Sequence, residues 1–200
     1  MRTIRWGIIG SGDVTESKSG PGLYKATNSA LVAVMRRDRQ KAEDYARRHG
    51  VARVHDTAEA LIHDSDVDAV YIATPPSSHL DLALRVAAAR KPCLVEKPMA
   101  MTHAECVRMN DAFRAAAVPL FVAYYRRALP RFLEVRRLLD SGAIGSVTDV
   151  HVRVSEPLAT GEAAAGWRFD PAVAGAGLFL DLASHCLDVL DFLLGPIADA

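Results

Sequence analysis

The amino-acid sequence predicts an α/β protein, with a doubly wound parallel sheet over residues 1–123 and a second unit of different character over residues 124–200. Two observations carry that expectation. From residue 3 to about 123, short apolar runs alternate with longer amphipathic segments, the pattern of stacked βα units. The first run leads directly into a glycine-rich turn, and after Tyr124 the alternation stops.

The apolar runs are Ile4–Ile9, Leu31–Met35, Ala69–Ala73, Cys93–Val95 and Leu120–Ala123, dense in apolar and β-branched residues as strands buried on both faces must be. Helices are expected between them at Arg39–His49, Ala58–Ile62, His79–Ala89 and Ala104–Ala116, the last opened by a capping box of Thr102 and Glu105. Beyond Tyr124, Pro130 precedes an amphipathic helix, Arg131–Leu139, with Phe132, Val135, Leu138 and Leu139 on one face and Ser141-Gly142 at its end. One alternating strand is expected at Val147–Val154. An Ala- and Gly-rich loop then runs from about Glu156 to Gly177, and a final helix, about Leu180–Leu194, stops at Gly195-Pro196. One strand cannot make a sheet, so the second unit reads as incomplete at residue 200.

Composition excludes several classes. Of 200 residues, 50% are apolar and 24% charged, and 24 basic residues balance 24 acidic ones, so no basic field favours nucleic acid and no disordered chain is indicated. Cys93, Cys106 and Cys186 form neither a disulfide framework nor a CxxC pair and read as reduced thiols. The amino terminus lacks an apolar signal segment, and no run of 18 uninterrupted apolar residues occurs, which makes a cytoplasmic location the default expectation. A small ligand suits this balance better than a nucleic acid or a membrane.

Five motifs carry chemistry. Gly10-Ser11-Gly12-Asp13-Val14-Thr15 follows the first strand, where closely spaced glycines let backbone amides approach a pyrophosphate. Thr15 departs from the Gly or Ala usual at the third fingerprint position, and Gly20-Pro21-Gly22 implies a short or interrupted helix. At the end of the second strand, Arg36 and Arg37 stand where an acidic residue would select NAD. Guanidinium groups there suit the 2′-phosphate of NADP, unless both are solvated and Asp38 simply caps the next helix. Thr74-Pro75-Pro76-Ser77-Ser78-His79 follows the third of these strands, with Ser77 or Ser78 as a candidate helix cap. Glu96-Lys97-Pro98 follows the fourth, where a desolvated lysine can have its pKa lowered into the acid–base range. In the last helix, Asp181, His185 and Asp188 share a face opposite Leu182, Cys186, Val189, Leu190 and Leu193, so the row is expected to point away from the core. No further cluster completes a metal-ligand set around it, and Asp181 could equally be a helix cap.

Together GIIGSGDVT, ATPPSSH, EKPMA, YYRRALP, DSGAIG and GAGLFLDLASHCLD, in this order from about Arg5 to Pro196, resemble the Gfo/Idh/MocA family of NAD(P)-dependent oxidoreductases. The resemblance implies a Rossmann domain followed by an α+β mixed-sheet domain whose strands continue beyond the last helix here. It also implies oxidation or reduction of a hydroxyl or carbonyl carbon, most often on a sugar, cyclitol or polyol. By position it makes Lys97, Asp181 and His185 the catalytic residues and has Gly10, Ser11, Gly12, Asp13, Val14, Arg36, Arg37, Thr74, Pro75, His79, Glu96 and Lys97 hold the cofactor. Substrate is then expected to meet Lys97, Tyr125, Arg127, Trp167, Arg168, Asp181 and His185. Tyr125 replaces the family's usual asparagine and Ala183 a usual glycine, and Lys18-Ser19-Gly20-Pro21 is an uncommon segment close to the phosphate loop. A homo-oligomer formed through the second domain is the family's habit. Two alternatives stand beside this reading: a dinucleotide-binding sensor without chemistry, and a reductase of a non-sugar carbonyl or diol.

Overall fold

The computed structural model describes residues 2–155, 166–175, 177 and 179–198. The chain divides into two compact units, Met1–Ala123 and Tyr124–Ala200.

The first unit is a six-stranded, wholly parallel sheet in the order β3-β2-β1-β4-β5-β6. The strands are β1 (Ile4–Ile9), β2 (Ser29–Met35), β3 (Arg53–His55), β4 (Ala69–Ile72), β5 (Cys93–Val95) and β6 (Leu120–Val122). Strand order reverses between β1 and β4, which in doubly wound sheets is the point where ligands bind. Alternation across the pleat divides the core in two. Ile9, Val70, Ile72 and Val95 pack with α4 (Ala58–Ile62), α5 (His79–Ala88) and α6 (His103–Ala116). Ile8, Leu31, Val34 and Tyr71 face the other way, against Leu23 of α2 (Gly20–Lys25) and Tyr45 of α3 (Arg39–His49). One strand, β3, was not anticipated, because Arg-Val-His offers a single apolar residue and the sheet edge demands no more.

The start signals act largely as expected. Asp38 accepts from the Lys41 amide at 3.1 Å and Thr102 from Glu105 at 3.2 Å, and Thr57, which the sequence reading did not single out, accepts from Ala60 at 3.1 Å. The Glu105 carboxylate reaches back to the Met101 amide, 2.9 Å, one residue before its usual partner. Ser78 departs from expectation. Residues Pro76–Ser78 form a 3-10 turn, and the Ser78 hydroxyl donates to Thr74 Oγ1 and the Pro75 carbonyl instead of capping α5.

The second unit contains α7 (Pro130–Asp140), α8 (Pro171–Ala174) and α9 (Ser184–Leu194), with 3-10 turns at Tyr125–Ala128 and Trp167–Phe169. Val147–Val154 is not a strand: nothing among the described residues pairs with it, and Val147, Val150, Val152 and Val154 are exposed. Trp167–Phe169 and Pro171–Ala174 form helical turns where an irregular loop was expected, and residues 156–165 of that loop lie outside the described residues. The last helix begins as a π turn, Phe179–Ala183, before α9 proper. By length and composition Pro171–Leu194 could cross a membrane, as the core helix of a soluble protein also could.

At the amino edge of the first unit's sheet, Arg5 grips Asp68 through Nε and Nη2, each 3.0 Å, while its own amide donates to the same carboxylate at 3.0 Å. Those hydrogen bonds from Arg5, working against burial, hold the Asp68 carboxyl down at about 2. A depressed carboxyl stabilises the fold above its unfolded pKa, so this contribution is present above about pH 4 and lost as pH falls toward 2. Asp68→Asn is expected to lower the melting temperature by roughly 5 °C at neutral pH. It should also flatten the decline in melting temperature between pH 4 and 2, measured by circular dichroism; a decline identical to that of the parent would remove Asp68 from this role.

Candidate active site

Four strand ends build the carboxyl edge of the sheet. The residue after each is tied to its neighbour: Gly10 N donates to Met35 O, Ala73 N to Ile9 O, Glu96 N to Ile72 O and Ala123 N to Val95 O, at 2.8–2.9 Å. The turn after β1 then needs glycine. Gly10 has φ +92°, and a Cβ there would lie 2.7 Å from Thr74 Cγ2 and 2.9 Å from the Ala73 carbonyl. Thr15, the departure from the fingerprint, is fully buried and donates its hydroxyl to the Gly12 carbonyl at 2.7 Å, which gives a larger residue a purpose at that position. The interruption between α1 (Asp13–Ser17) and α2 is equally specific, since a Cβ on Gly20 would lie 1.8 Å from the Thr15 carbonyl oxygen.

The turn suits a dinucleotide. Ser11 is completely buried and, among the described residues, its hydroxyl has no hydrogen-bond partner and no side chain caps the Gly12 end of α1. An anionic oxygen would satisfy both. Asp13 is exposed and Val14 half-buried along the same turn, and Arg36 donates from Nη1 to the Ser11 carbonyl at 2.8 Å, which brings the end of β2 onto the loop. Arg37 is exposed beside it, and Asp38 caps α3 as the alternative reading had it.

Thr74 and Pro75 are half-buried at the end of β4. His79 lies beneath the site instead of lining it. Its ring is fully buried, with Nδ1 3.0 Å from the Pro98 carbonyl and Nε2 2.8 Å from the Thr74 carbonyl, so it braces the two loops that follow β4 and β5. Burial pushes its pKa down, against the opposing pull of those carbonyls. Glu96 is buried, accepts from the Tyr71 hydroxyl, and takes the Lys97 amide on Oε2 at 3.2 Å; burial raises its pKa. Lys97 follows half-buried, joined to Pro98 by a cis peptide bond.

In the second unit, His185 is 4% exposed, with the Tyr124 and Tyr125 rings edge-on at 5.8 and 5.3 Å. This corrects the outward-facing row. Within α9, His185 and Val189 are i,i+4 neighbours and both are buried, and the Asp188 side chain turns inward beside them, so these residues line the inner face. Arg127, expected at the substrate, instead donates to Asp188 at 2.7 Å and Asp191 at 2.9 Å, fastening the Tyr125–Ala128 turn to α9. Arg168 stacks on Trp167, 4.7 Å to the ring centroid, and approaches Asp181 at 3.9 Å, so Trp167, Arg168 and Asp181 form one group. Tyr125 is half exposed.

Comparison with known proteins agrees with this architecture. Residues 4–124 match the family described as "Oxidoreductase family, NAD-binding Rossmann fold", and residues 132–200 match "GFO/IDH/MocA C-terminal domain". The chain belongs to the Gfo/Idh/MocA oxidoreductase family. It is 45% identical over 197 residues to "Oxidoreductase P35" of Formosa agariphila, covering 97% of this chain and 61% of that protein. It is 32% identical over 190 residues to the 1,5-anhydro-D-fructose reductase of Ensifer adhaerens, covering 95% and 56%. The aldose-aldose oxidoreductase of Caulobacter crescentus, solved with glycerol, superposes with a TM-score of 0.81 at 27% identity, over 97% of this chain and 58% of that one. The chain thus spans a little over half the length of these relatives.

Gly10→Ala tests the turn. It should weaken NADPH binding at least tenfold, about 1.4 kcal/mol or more, with the circular dichroism spectrum retained, while Gly22→Ala, at an open position, binds as the parent does. Equal affinity in Gly10→Ala would show that this turn does not hold the nucleotide.

Proposed function

We propose that the chain is the nucleotide-binding and catalytic part of an oxidoreductase that acts on a hydroxyl or carbonyl carbon of a sugar, cyclitol or related polyol, with NADP as the favoured cofactor. The observation that carries the reading is the buried, unpartnered Ser11 hydroxyl in a glycine turn, on the same sheet edge as Arg36 and Lys97. When bound, the nicotinamide supplies or accepts the hydride. Gly10, Ser11 and Gly12 receive the pyrophosphate, and Arg36 and Arg37 the 2′-phosphate, through charge-assisted hydrogen bonds that a ribose hydroxyl would match less strongly. Lys97 polarises the reacting oxygen. His185 holds or gives the hydroxyl proton, suited to it because the ordinary imidazole pKa lies near operating pH, and Asp181 orients the substrate or the imidazole. The sugar-acting relatives support the substrate class. As part of the same proposal, three free thiols fit a cytoplasmic setting, and the family's habit favours a homo-oligomer.

Lys97→Ala should reduce kcat by about two to four orders of magnitude while NADPH still binds in a fluorescence titration. Turnover retained in Lys97→Ala would remove lysine from the chemistry. Parent protein should bind NADPH more tightly than NADH, with the preference narrowing at least tenfold in Arg36→Ala; equal affinities in the parent would overturn the NADP assignment.

A further inference from the structure

One buried polar chain runs through the first unit's core without a part in the chemistry described so far. Tyr71 lies in the central strand β4 and is fully buried; Val70 and Ile72 on either side point to α4–α6, so Tyr71 must face α2 and α3. Its ring packs in a cluster with Ile8, Val34 and Tyr45, where phenylalanine would serve as well. A buried phenol needs a partner, and this one has two. Its hydroxyl bonds Glu96 Oε1, and Ser19 Oγ lies 2.5 Å away. An ionised carboxylate can only accept, so the Tyr71 proton points to Glu96 and Ser19 donates to the phenol oxygen, sharing that donor with the Val14 carbonyl at 3.3 Å. The other Glu96 oxygen receives the Lys97 amide. Ser19 is itself fixed where α1 ends, by its amide on the Val14 carbonyl at 3.0 Å.

We propose that Ser19, Tyr71 and Glu96 form a positioning relay that ties the backbone of Lys97 to the segment following the dinucleotide turn, with Glu96 ionised. The proposal rests on the reading of Lys97 as the catalytic lysine. Three segments far apart in sequence, residues 19, 71 and 96–97, are joined by hydroxyl and carboxyl groups in place of apolar contacts, and the uncommon Lys18-Ser19-Gly20-Pro21 stretch thereby has a purpose. A buried carboxylate is costly unless hydrogen-bonded, and both Glu96 oxygens are. The charged and titratable groups facing Glu96 are Lys18 at the end of α1, Lys97 and Tyr71, with Tyr45 of α3 behind the phenol. Removing the phenol hydroxyl takes a donor from the carboxylate and leaves the charge less stable, so the Glu96 pKa must rise.

The test is Tyr71→Phe, which keeps the ring, with Ser19→Ala and the hydroxyl-retaining Ser19→Thr beside it. In the cofactor-free protein, carbon-13 NMR of the Glu96 carboxyl should give a titration midpoint about one pH unit higher in Tyr71→Phe, accompanied by a shift of the Lys97 amide resonance; Ser19→Ala should move both less and Ser19→Thr hardly at all. In the parent background kcat should fall at least tenfold in Tyr71→Phe with KM within about twofold, and the acidic limb of the kcat profile should move up with the Glu96 midpoint. An unmoved Glu96 midpoint overturns the relay, and a moved midpoint with unchanged kcat and pH profile overturns its positioning role. A parent without turnover on any polyol counts against the functional reading, while the NMR titration still decides the relay.

Discussion

The close approach of the turn after β1 to the end of β4 is the constraint on which the site depends. A backbone at φ +92° with its Cα packed against Ala73 and Thr74 admits no side chain, and only with Gly10 in that position can the amide of Gly10 pair with β2 while Ala73 pairs with β1. The two inner strands then end level, and the residues after β1 and β2, Ser11 and Arg36, and after β4 and β5, Thr74 and Glu96, are delivered to one edge. A residue with a Cβ at position 10 would force these ends apart, and the edge would lose the geometry that lets main-chain amides face a phosphate.

Behind that edge the protein holds its loops by burying polar groups, a choice that is stable only when each finds partners. Glu96 does so with a phenol and an amide and Thr15 with the carbonyl of Gly12, while the His79 ring sits between two carbonyls from different loops and in its neutral form donates to one of them. Among the described residues of the first unit, the Ser11 hydroxyl is buried without a partner. In the second unit Arg127 ties the Tyr125–Ala128 turn to Asp188 and Asp191 of α9, while Trp167, Arg168 and Asp181 form a separate group.

Much of the first unit was legible because parallel strands buried on both faces are apolar throughout, so Ile4–Ile9 and Cys93–Val95 coincide with their runs, and Asp38 and Thr102 announce their helices with cap chemistry. The failures have physical causes. Arg53–His55 is an edge strand with a single apolar residue. Val147–Val154 alternates as a strand should, but alternation describes a surface and a strand also needs a partner. Helical phase placed His185 and Asp188 outward although His185 and Val189 stand i,i+4 on one face of α9, and that face is the buried one. The Ser19–Tyr71–Glu96 chain was invisible, since no periodicity encodes hydrogen bonds between residues so far apart.

The proposed function places hydride exchange at a carbinol carbon on this edge, with Lys97 upon it. The most direct measurement follows label: keto forms of sugars and inositols are incubated with the protein and reduced nicotinamide dinucleotide deuterated at the transferring position of C4, and the products are examined by NMR. Deuterium at the new carbinol carbon is the result this structure predicts. Products carrying no deuterium at that carbon, or no product from any of these substrates, would contradict it.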